Sequence, residues 1–177
     1  MDLGVTLDSS LTMSQHVAAV CRSSFFQLRE VRRSLSCETT KILVHSFVSG
    51  RRDYCNCLLA GICDGLIQKL LSVQNAEGLR KFDHISETLR ELHWLPVRKR
   101  ITYKVTLLVF KCLNVGLLAP MYLTDDCRLM SLLSDRRHLR SSTSGVLYIP
   151  RTRTWFGARS FGVIGPVTWN DLPLELR

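Results

Sequence analysis

The apolar stripe between residues 97 and 112 constrains the fold more than any other feature of this sequence. Apolar side chains recur there at three- and four-residue steps, which places them on one face of an α-helix. Pro96 suits the first turn of a helix, and Asn114-Val115-Gly116 favours its end. The sequence therefore predicts a long amphipathic helix from Pro96 to about Asn114. The stripe consists of Val97, Ile101, Val105, Leu108, Val109 and Cys112.

Similar spacing predicts further helices before this one. A first helix follows the capping cluster Asp8-Ser9-Ser10 and runs to Leu35. The others are predicted over residues 36–49, from Asp64 to about Ala76, and over 85–92. Residues 9–126 are therefore predicted to form a helical bundle of four to six helices, a thumb-like region by the resemblance given below.

Two segments carry strand signals instead. Leu3, Val5 and Leu7 alternate with polar residues, which predicts a short strand within residues 1–8, although no partner strand is evident nearby. Residues 127–144 predict a basic loop, and residues 145–177, with their aromatic residues and glycines, predict a small β-containing tail. Aromatic residues next to arginines can stack unpaired bases, but Trp155 and Phe156 in a glycine-rich hairpin are more often its hydrophobic core, which is the expectation here. The predicted fold class is mainly α, with an isolated N-terminal strand and a small C-terminal β-hairpin-containing tail.

The chain is basic, with 24 Lys and Arg against 15 Asp and Glu, and seven of its nine excess positive charges follow residue 80. Clustered cations can neutralise phosphates, with an affinity that falls steeply as salt rises. A charged surface that binds only water is the alternative interpretation. The candidate nucleic-acid-binding residues are Arg98, Lys99, Arg100, Lys104 and Lys111 on the long helix, then Arg136, Arg137 and Arg140, then Arg151 and Arg153.

Common catalytic patterns are missing from the sequence. It contains neither a G-x-S-x-G elbow nor a G-x-x-x-x-G-K-[ST] phosphate loop. Asp125 and Asp126 follow Tyr122 with one residue too many for the Tyr-x-Asp-Asp of polymerases. We therefore predict no catalytic residue, metal ligand or cofactor in the chain.

The seven cysteines are an odd number, and no C-x-x-C pair is present. Reduced thiols that pack as small apolar side chains are the favoured interpretation. A small enzyme with a thiol or zinc site at Cys55, Cys57 and Cys63 is a weaker hypothesis.

No segment has the length and apolarity of a membrane span, because the longest runs without a charged residue contain thirteen residues and are interrupted by polar ones. The N-terminal residues also lack the pattern of a secretory signal. We expect an intracellular protein of the cytoplasm or nucleus that has no membrane partner.

Several blocks, in the same order, resemble the C-terminal, post-palm region of reverse transcriptases from non-LTR (LINE-type) retrotransposons of the chicken-repeat and jockey-like kind. LHWLPV at residues 92–97 and WNDLP at residues 169–173 are the most specific of them. The other blocks are LGVTLD at 3–8, DYCN at 53–56, SVQNA at 72–76, PRTR at 150–153 and RSF at 159–161. The chain departs from the family pattern at Arg52, where an apolar residue is usual, and by small insertions or deletions near residues 77–84 and 114–120.

This resemblance implies that the palm, with its catalytic carboxylates and Mg²⁺, precedes residue 1. The chain would then be a non-catalytic fragment of an RNA-directed DNA polymerase, from the thumb and following region that grips template RNA or an RNA–DNA duplex. The alternative is a helical protein-interaction module without a nucleic-acid role. The interaction module predicts a large exposed apolar patch where the palm would dock, and this patch could drive self-association.

Overall fold

The computed structural model describes residues 4–34, 50–77, 90, 94–114, 119–133 and 145–177. This part of the chain is mainly α, as predicted, and contains seven α-helices. The helices are α1 (Ser14–Ser34), α2 (Gly50–Asp53), α3 (Asp64–Glu77), α4 (Val97–Asn114), α5 (Met121–Asp126), α6 (Trp155–Ala158) and α7 (Phe161–Asn170). Short 3-10 helices cover Asn56–Leu59, Met130–Leu132 and Leu174–Leu176.

The chain divides into two compact units, Met1–Ile101 and Thr102–Arg177. The division falls within α4, so each unit includes one part of that helix. Each unit also has an apolar core of its own. The domain boundaries drawn from the sequence stay a prediction.

The core of the first unit lies between α1 and α3. Val17 of α1 and Leu70 and Val73 of α3 are almost completely buried. Val97 and Ile101, from the start of α4, belong to the same core. The apolar stripes of the three helices thus provide this core, as their spacing predicted.

The side chain of Gln74 joins α3 to the beginning of α4. Its Nε2 donates to the Leu95 carbonyl oxygen at 3.2 Å, and its Oε1 accepts from the Val97 backbone N–H at 3.1 Å. The first N–H groups of a helix have no partner within the helix itself. Gln74, which is 1% exposed, therefore caps α4 from the interior of the first unit.

Arg52 of α2 is only 3% exposed. The positive charges of Lys69 and Arg52 lower the pKa of the buried Cys21 thiol, but burial is the larger effect and raises it. The thiol of Cys21 is therefore held in its neutral form.

The predicted N-terminal strand is not supported. Among the described residues 4–8, only Val5 has β-bridge geometry. Val5 packs into the core beside Met13 and Val17, and the Thr6 N–H donates to Nδ1 of His16 at 3.4 Å. Apolar contacts with α1 thus take the place of the ladder that a strand would need.

The core of the second unit gathers Val109, Cys112, Cys127, Leu147 and Trp169. Helix α7 lies close to α4, because a Cβ atom placed on Gly165 would be 3.1 Å from Cγ2 of Val109. A Cβ atom placed on Gly162 would be 3.1 Å from the carboxyl carbon of Asp126. Glycine thus permits α7 to approach its neighbours closely.

The predicted C-terminal hairpin is likewise not supported. Residues 155–158 and 161–170 are helical, and the β pairing in the described part of this unit is an isolated antiparallel bridge between Leu129 and Leu147. Two of the glycines that suggested turns between strands, Gly162 and Gly165, instead lie where α7 packs closely against its neighbours.

The side chains of Trp169 and Asn170 hold the segment that forms this bridge. Asn170 accepts from the Leu147 N–H and donates to the Leu147 carbonyl oxygen, both at 2.9 Å. Nε1 of Trp169 donates to the Gly145 carbonyl oxygen at 3.0 Å. Side chains of α7 therefore satisfy backbone groups that a neighbouring strand would otherwise pair with.

The predicted helix over residues 36–49 lies outside the described residues, as do the predicted helix over 85–92, apart from residue 90, and most of the predicted basic loop. Among the described helices, none combines the length and the apolarity that crossing a membrane requires.

Candidate nucleic-acid interface

Three predicted basic residues lie in the first turns of α4. Arg98 donates from Nη2 to Oδ1 of Asp64 at 2.6 Å, and both side chains are at least half exposed. An ion pair so open to water contributes roughly 0–1 kcal/mol to stability. Lys99 beside it is exposed.

Arg100 is used within the fold. Its Nη1 donates to Oδ2 of Asp53 at 2.7 Å and its Nε to the Leu95 carbonyl oxygen at 2.7 Å. Its side chain is 12% exposed. Arg100 therefore joins α2 to the beginning of α4, and its charge is already balanced by a carboxylate.

Further along α4, Lys104 is exposed and Lys111 is partly buried. The second predicted cluster, Arg136, Arg137 and Arg140, lies outside the described residues. Of the cations predicted on α4, Arg98, Lys99 and Lys104 are thus the most accessible.

The third predicted cluster, Arg151 and Arg153, is fully on the surface. Neither arginine forms an ion pair with any residue of the described ranges. The residues between and after them fix the backbone: Thr154 accepts from the Gly157 N–H at 3.0 Å as the N-cap of α6. A Cβ atom placed on Gly157 would be 3.2 Å from Cβ of Thr152, so the segment lies directly against α6.

Trp155 and Phe156 correct the sequence-based expectation. They lie on α6 rather than in a hairpin core, and they are 57% and 53% exposed. The Cζ atom of Arg159 lies 4.8 Å from the centre of a Trp155 ring, which is a cation–π contact. We call Arg151, Arg153, Trp155, Phe156 and Arg159 the Trp155 surface.

Arg159 was missed by the sequence analysis. The signal that could have found it is its spacing of four residues from Trp155, which brings the two side chains together once the segment is helical. Interpreting the segment as a strand concealed that neighbourhood, since residues four apart on a strand do not touch.

Neither acidic nor thiol groups form a metal site in the described part of the chain, where no cluster of three or more His, Cys, Asp or Glu side chains could hold an ion. Cys63 is exposed, whereas Cys55 and Cys57 are partly buried. In the second unit, burial and the neighbouring Cys112 thiol raise the pKa of Cys127 to about 12. Cys127 is therefore a poor nucleophile at neutral pH.

The Trp155 surface thus combines exposed cations with exposed aromatic rings. Comparisons of the chain with protein-family models, with curated proteins and with solved structures gave no significant match.

Proposed function

We propose that the chain is a non-catalytic part of the RNA-directed DNA polymerase of a LINE-type retrotransposon, from the region that grips template RNA or an RNA–DNA duplex. The exposed pair Arg151 and Arg153 beside the two exposed aromatic rings is the observation that carries the binding role. The ordered blocks described above carry the resemblance to the polymerase.

Residues of these blocks make hydrogen bonds to distant segments of the chain. Gln74 of the SVQNA block hydrogen-bonds to Leu95 and Val97 of the LHWLPV block. Trp169 and Asn170 of the WNDLP block hold residues 145 and 147. Residues that define the resemblance therefore make the hydrogen bonds that join separate segments, which gives each of them a structural reason to be retained.

Binding through phosphates has a measurable signature, because each phosphate that the protein neutralises releases counterions. Fluorescence anisotropy of a labelled RNA–DNA duplex should show affinity that falls steeply between low and physiological salt. The slope of log K against log salt is negative, and in R151A/R153A its magnitude should decrease by about 1 for each phosphate that the variant no longer binds.

The matched control is R22A/R29A, which removes two exposed arginines of α1 and the same total charge. Its slope should stay close to that of the wild type. If the magnitude of the slope decreases equally in both variants, the effect comes from the net charge of the protein rather than from Arg151 and Arg153. Tight binding that does not depend on salt would contradict the proposal.

The absence of catalysis is tested directly. The chain, supplied with Mg²⁺ and a primed RNA template, should extend no primer under conditions in which a control reverse transcriptase does. Measurable synthesis would end this part of the proposal.

A protein-interaction module is the second candidate, and exposed apolar side chains favour it. Five of them in the second unit are between 63% and 80% exposed, and exposed apolar surface can mark a docking site. They are Met121, Tyr122, Leu132, Leu174 and Leu176. Sedimentation velocity separates the candidates: self-association without RNA favours this one, whereas a monomer that sediments faster only when RNA is added favours the first.

A further inference from the structure

The Trp155 surface exposes two aromatic side chains that the fold could have buried. Phe161, which follows Phe156 by five residues, packs against the core of the second unit, so apolar surface is available nearby. Trp155 and Phe156 instead remain more than half exposed. Exposing two adjacent large apolar rings forgoes the stabilisation that their burial would provide.

The backbone beneath these rings is ordered by local bonds. Helix α6 begins at the Thr154 cap, where the Ala158 N–H also donates to the Thr154 carbonyl oxygen at 3.1 Å. The helix leads directly into α7, because the Ser160 N–H donates to the Gly157 carbonyl oxygen at 3.1 Å. A ligand that stacks on rings held in this way loses little affinity to the ordering of the protein.

The charge around the rings is uniformly positive in sequence. Residues 136–170 contain six arginines and no aspartate or glutamate. Three of those arginines belong to the Trp155 surface. In space, the carboxylate of Asp126 lies against Gly162 of α7, and Asp171 follows the end of that helix.

The contact between Arg159 and Trp155 identifies the kind of ligand. A guanidinium group lies over one face of the indole, yet the residue is still 57% exposed. Indole surface therefore remains for another flat group. Bases stack on aromatic rings regardless of sequence, and arginines beside them hold the phosphates.

We propose that the Trp155 surface binds unpaired nucleotides by stacking bases on Trp155 and Phe156 while Arg151 and Arg153 contact the phosphates. This rests on the proposed nucleic-acid-binding function and narrows it, because bases within a duplex are stacked on one another and cannot stack on the protein. An apolar peptide could also cover the two rings, but the surrounding arginines favour a polyanion.

The test measures anisotropy with a labelled single-stranded RNA of about ten nucleotides, which falls within the usual site size, and with the matching duplex. Wild-type protein should bind the single strand about tenfold or more tightly than the duplex, and W155A/F156A should lose that preference, since each stacked base contributes roughly tenfold. F26A is the control, because Phe26 is a 67% exposed aromatic residue of α1 that lies outside the Trp155 surface. It should behave as wild type.

A second readout distinguishes stacking from misfolding. Stacking on Trp155 should quench tryptophan fluorescence, and W155F should abolish most of the quenching while keeping most of the affinity. In the variants that lack Trp155, the emission comes from Trp94 and Trp169, which pack against the core of the first unit and within the core of the second. An unchanged emission maximum of these two residues in each variant shows that both units are intact.

Several outcomes would overturn the inference. Equal binding of single strand and duplex by the wild type, or an unchanged preference in W155A/F156A, excludes stacking at this surface. Quenching that persists in W155F places the contact elsewhere. Binding of an apolar peptide but of no oligonucleotide assigns the rings to a protein partner.

Inorganic polyphosphate, which has charges but no bases, separates this inference from the proposed function. If it competes fully with single-stranded RNA, and R151A/R153A weakens every polyanion alike, phosphate binding stands and base stacking fails. If no nucleic acid binds at any salt concentration, the proposed function itself fails.

Discussion

At the scale of single residues, Gln74 shows how one buried polar side chain can position a helix. Both of its polar atoms are paired with backbone groups of the segment that begins α4. Its amide therefore recognises one arrangement of α3 and α4, whereas an apolar side chain of similar size would tolerate several.

Gln74→Leu should destabilise the first unit by about 1–3 kcal/mol, because the Leu95 carbonyl oxygen and the Val97 N–H lose their partner. Urea unfolding followed by far-UV circular dichroism measures the change. Gln68→Leu, at an exposed position of the same helix, should change the unfolding free energy by less than about 0.5 kcal/mol. Equal effects of the two substitutions would contradict the capping role.

His16 makes the stability of the first unit depend on pH. Burial lowers the pKa of its imidazole below the usual 6.5. Below about pH 6.5, the folded state therefore binds fewer protons than the unfolded state. The stability that the neutral imidazole provides is complete above that pH and is lost as the pH falls towards the pKa of the folded state. Protonation of Nδ1 would also remove the acceptor for the Thr6 N–H.

We expect the urea midpoint of the wild type to decrease between pH 7.5 and 5.5. In His16→Asn this decrease should be smaller, because an amide oxygen can accept from Thr6 but does not titrate in that range. A wild-type midpoint that is flat or rises on acidification would show that His16 is not held neutral.

At the scale of elements, the packing of α7 depends on glycines, which place no side chain between this helix and its neighbours. Gly165 approaches Val109 so closely that an added Cβ would need its neighbour to move by a few tenths of an ångström. Pro166 is also inside this helix and is buried. The sequence of α7 therefore favours close packing over intrinsic helix stability.

Gly165→Leu should destabilise the second unit by about 1–3 kcal/mol through overpacking. The matched substitution is Gly65→Leu in the first turn of α3, where nothing lies within 4 Å of an added Cβ. It should be neutral or slightly stabilising, since leucine is the better helix former. Thermal unfolding of the two variants measures the difference, and equal melting temperatures would refute the close approach of α7 and α4.

At the scale of the whole molecule, the two units have separate cores. Leu70 belongs to one core and Leu147 to the other, and each is 1% exposed. Truncating either to alanine leaves a cavity that costs about 2–5 kcal/mol. That cost falls first on the unit that contains the cavity.

Hydrogen exchange measured by mass spectrometry should separate the two effects. In Leu70→Ala, exchange should accelerate more within residues 14–30 and 64–76 than within residues 161–170, and in Leu147→Ala the order should be reversed. Each variant is the control for the other. A uniform acceleration in both would mean that the chain unfolds as one unit.

The helices α1, α3 and α4 were predictable because their information is local. Three- and four-residue spacing of apolar side chains brings a stripe to one face, whatever lies opposite, and the predicted bounds of α3 and α4 agree with the structure to within a residue or two. The positive charge at residues 151 and 153 was equally predictable, since charge is a property of the residue itself.

Only the tertiary structure decided the roles of the C-terminal glycines, of Asn170 and of Trp155. A glycine can form a turn or permit a close contact between helices, and the residues that pack opposite it determine which of these two roles it has. Asn170 substitutes for a neighbouring strand because folding brings Leu147 within hydrogen-bonding distance. Trp155 is exposed, although Phe161 of the same unit packs against the core. Burial therefore depends on the whole packing arrangement rather than on the hydrophobicity of one side chain.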